Sequence, residues 1–176
     1  MKDEDYFRFR DQGARVEGGI YTAVELWCED PAAAKQQYGP IASWDTSEIT
    51  SMGWLFFDRS DFNGDISRWD VSSVFDMNAM FQHATSFNRD LSQWDVSNVW
   101  NMTAMLFGAT SFNHDLSQWD VSKVTDMDSM LNGATSFTHR LGGAWSTSTA
   151  LKGHMFRNCP GSIAGKTNNA VGTPAV

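Results

Sequence analysis

Five tryptophans recur along this chain, Trp44, Trp69, Trp94, Trp119 and Trp145, at intervals of 25, 25, 25 and 26 residues. Each opens a similar phrase: Asp-Thr-Ser follows the first, Asp-Val-Ser the next three and Ser-Thr-Ser the last. A fixed period constrains the fold more than any other feature here, because a unit this short cannot cover its own apolar side and must be covered by its neighbours. Other columns keep the same step. They are Ile49, Val74, Val99 and Val124; Met52, Met77, Met102 and Met127; Leu55, Met80, Met105 and Met130; Phe62, Phe87, Phe112 and Phe137; and Ile66, Leu91, Leu116 and Leu141.

Within one unit the apolar spacing changes. Leu91, Trp94 and Val96 predict a short strand, whereas Val99, Met102, Met105, Leu106 and Ala109 recur at helical spacing. Ser72, Ser97 and Ser122 stand where a helix N-cap belongs. The expected fold is therefore an α/β solenoid, a short right-handed coil of about four 25-residue strand–helix units of leucine-rich-repeat type. Its strands would form a parallel sheet at ~4.8 Å spacing, with methionine filling the gap between helices and sheet.

The ends depart from the pattern as caps do. Residues 1–40 read as an N-terminal segment and helical cap, with helical turns broken at Pro31, stopped at Gly39-Pro40, and carrying Val24, Trp27 and Cys28 on one face. Residues 41–143 hold the repeats, and 144–160 a degraded repeat whose helix would carry Leu151, Met155 and Phe156. Residues 161–176 read as a flexible tail. A chain of 176 residues with 41% hydrophobic content fits one domain with a continuous core.

Thirteen Lys and Arg stand against 21 Asp and Glu, with no basic run to neutralise a phosphate backbone, so nucleic acid is not an expected partner. No apolar stretch reaches the roughly 18 residues of a membrane span. The opening MKDEDYFRFR is acidic where a signal peptide would be basic and then apolar. Compartment stays open. Cys28 and Cys159 lie in opposite caps, about four units apart, and are not expected to be bonded to each other.

Groups that could carry chemistry have plainer readings. Asp45, Asp70, Asp95 and Asp120 form a carboxylate column that either holds calcium or accepts backbone N–H groups in Asx turns; a linear ladder does not converge six to eight oxygens, which favours the turns. His114 and His139 share a column next to Asp115 and below Arg89, but two imidazoles lack the further ligands of a zinc site. There is no nucleophile elbow, and Ala164-Gly165-Lys166-Thr167 holds only the end of a phosphate loop. No enzyme activity, cofactor, metal or small-molecule substrate is expected.

The string Phe87 to Leu106, F-N-x-D-L-S-x-W-D-V-S-x-V-x-x-M-x-x-M-L, resembles the BspA-type leucine-rich repeat family, as does W-D-T-S-E-I-T-S-M from Trp44. The resemblance spans about residues 41–156, and the cap before it looks like that of protist and algal members. It implies a protein-binding module, since the family is best known for surface proteins that adhere to host or matrix proteins.

On a helix turning ~100° per residue, Trp100, Ala104 and Phe107 would lie opposite the core stripe. Across units that outer helical face gathers Trp54, Phe57, Phe75, Trp100 and Phe107, giving way to Thr125, Ser129 and Asn132. Five aromatics there form the candidate partner-binding surface. The plainer alternative is that residues 1–20, with Tyr6, Phe7 and Phe9, fold back over it. The expected function is a non-catalytic scaffold, an accessory or linker subunit of a larger assembly, docking a protein or a membrane surface there. An adhesion module binding an external protein is the other reading.

Overall fold

The computed structural model describes residues 8–10 and 19–166. Strand β1, Arg8–Arg10, comes first, followed by helices α1, Ile20–Glu29, and α2, Pro31–Tyr38. Helix α1 buries Ile20, Ala23 and Val24, with Trp27 and Cys28 half-buried beside them. The boundary between the helices is set by Asp30, whose carboxylate accepts from the N–H groups of Ala32 and Ala33 at 3.1 and 3.0 Å, and by Pro31, which has no N–H to leave unpaired. Gly39, at φ 75°, ends α2 and returns its N–H to the Lys35 carbonyl. Both helices fall where the sequence places them.

A 3-10 turn, Ile41–Ser43, leads to β2, Asp45–Glu48, which pairs in parallel with β1 through Arg8 with Asp45 and Arg10 with Glu48. Near the end, β3, Arg140–Leu141, pairs in parallel with β4, Ser162–Ile163, on either side of a single helical turn, α3, Ala144–Thr147. Thus Ser162 and Ile163, expected in the tail, belong to a sheet.

Between these ends the expected architecture fails. Residues 49–139 contain no helix and no strand among the described elements; they are turns linked by isolated parallel bridges, Ser51 with Asp76, Asp76 with Asn101, Asn101 with Asp126 and Asp126 with Leu151. The α/β leucine-rich-repeat solenoid of strand–helix units, with its continuous parallel sheet, is therefore not the fold. Each segment expected to be a strand is a pair of β-turns, closed in the third repeat by Trp94 N–H to Leu91 O at 3.1 Å and Val99 N–H to Val96 O at 2.9 Å. The segment expected to be a helix continues the same way, with Met105 N–H to Met102 O, Phe107 N–H to Ala104 O and Ala109 N–H to Leu106 O, all i to i−3.

Two backbone columns prevent a helix from propagating. Residues 54, 79, 104, 129 and 154 have φ from 52° to 65°, and residues 58, 83, 108, 133 and 158 from 55° to 75°. A left-handed residue every fourth or so position breaks a right-handed helix. It also turns alternate N–H groups towards the next repeat, as when Met52, Trp54, Phe56 and Asp58 donate to the carbonyls of Asp76, Asn78, Met80 and Gln82 at 2.8 to 2.9 Å. The 25-residue segments thus lie as hydrogen-bonded tiers. The expected serine caps do not act as acceptors either: Ser72 and Ser97 donate their N–H groups to Asp70 and Asp95, both at 3.0 Å.

The apolar columns meet in one core. Trp69, Trp94, Trp119 and Trp145 are buried, and each indole N–H reaches a carbonyl of the tier before, that of Ile41, Ile66, Leu91 and Leu116, at 2.8 to 3.2 Å. Phe62, Phe87, Phe112 and Phe137 stack with ring centroids 5.8 to 6.1 Å apart. The degraded last repeat does not bury its expected trio: Met155 is buried, Phe156 is half-buried and Leu151 is 66% exposed.

Candidate docking surface

Of the five aromatics expected on an outer helical face, Trp54, Phe57 and Phe107 lie on turns and Phe75 and Trp100 directly precede the bridge residues Asp76 and Asn101, and the helical face itself does not exist. Trp54, Phe75 and Trp100 are 53%, 43% and 47% exposed, while Phe57 and Phe107 are half-buried. Ring contacts join one group: Trp54 to Phe57 at 4.8 Å, Phe57 to His83 at 6.2 Å and His83 to Phe107 at 5.4 Å between centroids. The imidazole was the member missed from sequence, because it falls in the left-handed column and lies in none of the apolar columns. Its Nδ1 sits 2.8 Å from Asp58 Oδ1, which fixes the ring between the two phenylalanines. Phe75 and Trp100 form a second pair, adjacent through the Trp100 N–H to Phe75 O bond at 2.9 Å.

Trp54 is unusual in its column. The equivalent residues are Ala79, Ala104, Ser129 and His154, all at positive φ; Trp54 places the largest ring of the column at φ 65° and half in solvent. Left-handed geometry costs about 1–2 kcal/mol for a residue with a Cβ, and an exposed ring recovers little of that by burial. Residues 1–7 and 11–18, and with them Tyr6 and Phe7 of the proposed cover, lie outside the described residues; the described strand β1 runs beside β2.

The polar columns resolve into backbone partners. Asp45, Asp70, Asp95 and Asp120 each accept the N–H of the serine two residues on, at 3.0 to 3.1 Å, which is the Asx-turn alternative to calcium. Arg89 Nε, His114 Nε2 and His139 Nε2 lie 2.8, 3.3 and 3.1 Å from the carbonyls of Asn63, Asn88 and Asn113, one tier back. Among the described residues no group of three His, Cys, Asp or Glu side chains could hold a metal ion, and no helix is long and apolar enough to cross a membrane. Both thiols are free, Cys28 half-buried and Cys159 buried, and burial raises the pKa of each. An open concavity is lined by Ser117, Asp120, Arg140, Gly142 and Gly143, and the Ser117 hydroxyl there donates to Asp115 at 2.9 Å.

The surface is thus an apolar, aromatic one on a turn-built repeat domain. A family model described as "Mycoplasma protein of unknown function, DUF285" matches residues 30–145, well over half the chain, and the protein belongs to that family. This corrects the resemblance drawn from sequence: the family model that matches is DUF285 and not the BspA-type leucine-rich repeat family, and the repeat in this chain is built of turns and not of strand–helix units. No curated protein and no solved structure matches the chain.

Proposed function

We propose that the chain is a non-catalytic protein-binding scaffold, an accessory or linker subunit that docks a protein partner through Trp54, Phe57, Phe75, Trp100 and Phe107. One observation carries the reading. Three of the four large apolar side chains exposed among the described residues are Trp54, Phe75 and Trp100, in a molecule whose other aromatic columns are buried to a few per cent. Tryptophan and phenylalanine left in water are the anchors that make binding energy when a partner covers them.

The test is a triple change, Trp54→Ser, Phe75→Ser and Trp100→Ser, which removes exposed rings and leaves the core columns alone. The expected result is an unchanged denaturation midpoint and loss of the stoichiometric complex that the wild-type chain forms when purified from its own cells. Recovery of the same complex at full stoichiometry with the triple variant would overturn the reading.

A further inference from the structure

The tiers are polar. In each of the first four, alternate N–H groups donate to the following tier; in the fourth, Met127, Ser129, Leu131 and Gly133 donate to Leu151, Gly153, Met155 and Arg157. The corresponding donors of the last tier are the N–H groups of Lys152, His154, Phe156 and Asn158. None has a partner among the described residues. At the opposite end the Tyr21 hydroxyl of α1 donates to the Gly53 carbonyl at 2.9 Å and lies 3.5 Å from that of Ser51, and so meets two of the first tier's outward acceptors. A helix meets two acceptors at one end of the ladder, and the donors at the other end have no partner among the described residues.

Charge divides along the same axis. Every one of the 21 acidic residues lies at or before Asp128, whereas Arg140, Lys152, Arg157 and Lys166 follow it. These donors therefore sit in a stretch of sequence with cationic side chains and no acidic residue, beside the exposed Leu151, with the Asp128 carboxylate of the tier before lying against Gly153. Aligned N–H groups with left-handed residues among them, here His154 and Asn158 at φ 53° and 55°, favour negative charge and carbonyl oxygens.

From this we propose that the last tier is a second binding edge, separate from the aromatic surface, that takes an acidic peptide segment of another protein as an additional tier. The occupant's main-chain carbonyls accept from Lys152, His154, Phe156 and Asn158, and its carboxylates face Arg157 and Lys166. The acceptors required are those the chain already uses: Asp126, Asp128, Met130 and Asn132 present their carbonyls to the third tier from an acidic segment. Head-to-tail addition of a second copy is opposed by Tyr21, which already bonds two of that copy's outward carbonyls, those of Gly53 and Ser51.

The probe is a fluorescein-labelled decapeptide with the sequence of residues 124–133, VTDMDSMLNG, titrated with the full chain and followed by anisotropy. Expected are saturable binding that weakens with salt, about tenfold or more weaker binding by an Arg157→Glu, Lys166→Glu variant of unchanged melting temperature, and protection of the four amides from hydrogen exchange. The Trp54, Phe75 and Trp100 serine variant should bind the peptide as well as wild type, so failure here is distinct from failure of the aromatic surface. Equal affinity for a control peptide with lysine at both aspartates, tighter binding of a deoxythymidine decamer, binding without protection of those amides, or self-association that excludes the peptide would each overturn the proposal.

Discussion

Single residues in this chain are selected by backbone geometry as much as by burial. Gly108 and Gly133 occupy one left-handed column, at φ 67° and 75°, so alanine is strained at both by about 1 kcal/mol. Their surroundings differ: a Cβ on Gly108 would stand 2.8 Å from His83 Cδ2, whereas one on Gly133 meets nothing closer than 3.5 Å. Gly108→Ala should therefore lower stability more than Gly133→Ala, measured as the shift in urea midpoint, and equal shifts would mean that the imidazole moves aside freely. Asp65 gives a second test. The Ser67 hydroxyl and N–H, at 2.7 and 3.1 Å, hold its carboxyl below the usual range, and the N–H and hydroxyl of Ser92 do the same for Asp90. A carboxyl depressed in the folded state contributes stability above its unfolded value, near pH 4, and loses it as pH falls through the folded value. Both groups are solvent-exposed, so the effect is small. Stability should be level from about pH 5 to 7 and decline below about pH 4, and Asp65→Asn, which keeps an acceptor for the turn, should flatten that decline.

At the scale of the element, the repeat's period and its buried columns could be read from sequence, and its secondary structure could not. Apolar residues spaced three and four apart, as in Val99, Met102, Met105, Leu106 and Ala109, suit a helix stripe, but they suit consecutive β-turns equally, since each turn brings residue i+3 back beside residue i. What separates the two is the left-handed column. Its sequence trace was Gly108 and Gly133 in register, with Asp58 and His83 in the places that glycine would otherwise fill. The tryptophan column makes the element's energetics testable. Trp94 is buried and donates to the Ile66 carbonyl at 3.2 Å, so it joins two tiers by both packing and a hydrogen bond. Trp94→Ala should cost about 3–5 kcal/mol. Trp94→Phe keeps most of the apolar contact and leaves that carbonyl without its donor, for about 1–3 kcal/mol. Trp100→Ala, at an exposed position, should stay within about 0.5 kcal/mol of wild type, and a large loss there would place the ring in the core.

For the whole molecule, the direction of the hydrogen bonds is the feature that sequence concealed most completely, because it belongs to the backbone and leaves no side-chain pattern. The helices α1 and α2 were legible from Pro31, Gly39 and the Val24 face, and the exposure of Trp54, Phe75 and Trp100 was legible because they break their columns. That α1 meets acceptors at one end while, among the described residues, no group meets the donors at the other required the carbonyl and N–H positions themselves. Amide hydrogen exchange on the free chain measures this directly. The donors Met77, Ala79, Phe81 and His83 are bonded to the next tier and lie between two others, so they should exchange only through global unfolding. Those of Ser129, Leu131 and Gly133 are bonded to the last tier and should open with it, at an intermediate rate. Lys152, His154, Phe156 and Asn158 should exchange fastest of all the residues in these columns. A strand–helix repeat would instead protect each repeat's helix amides alike, whichever tier they occupy, so uniform protection across positions 77–83, 129–133 and 152–158 would contradict a ladder of this polarity.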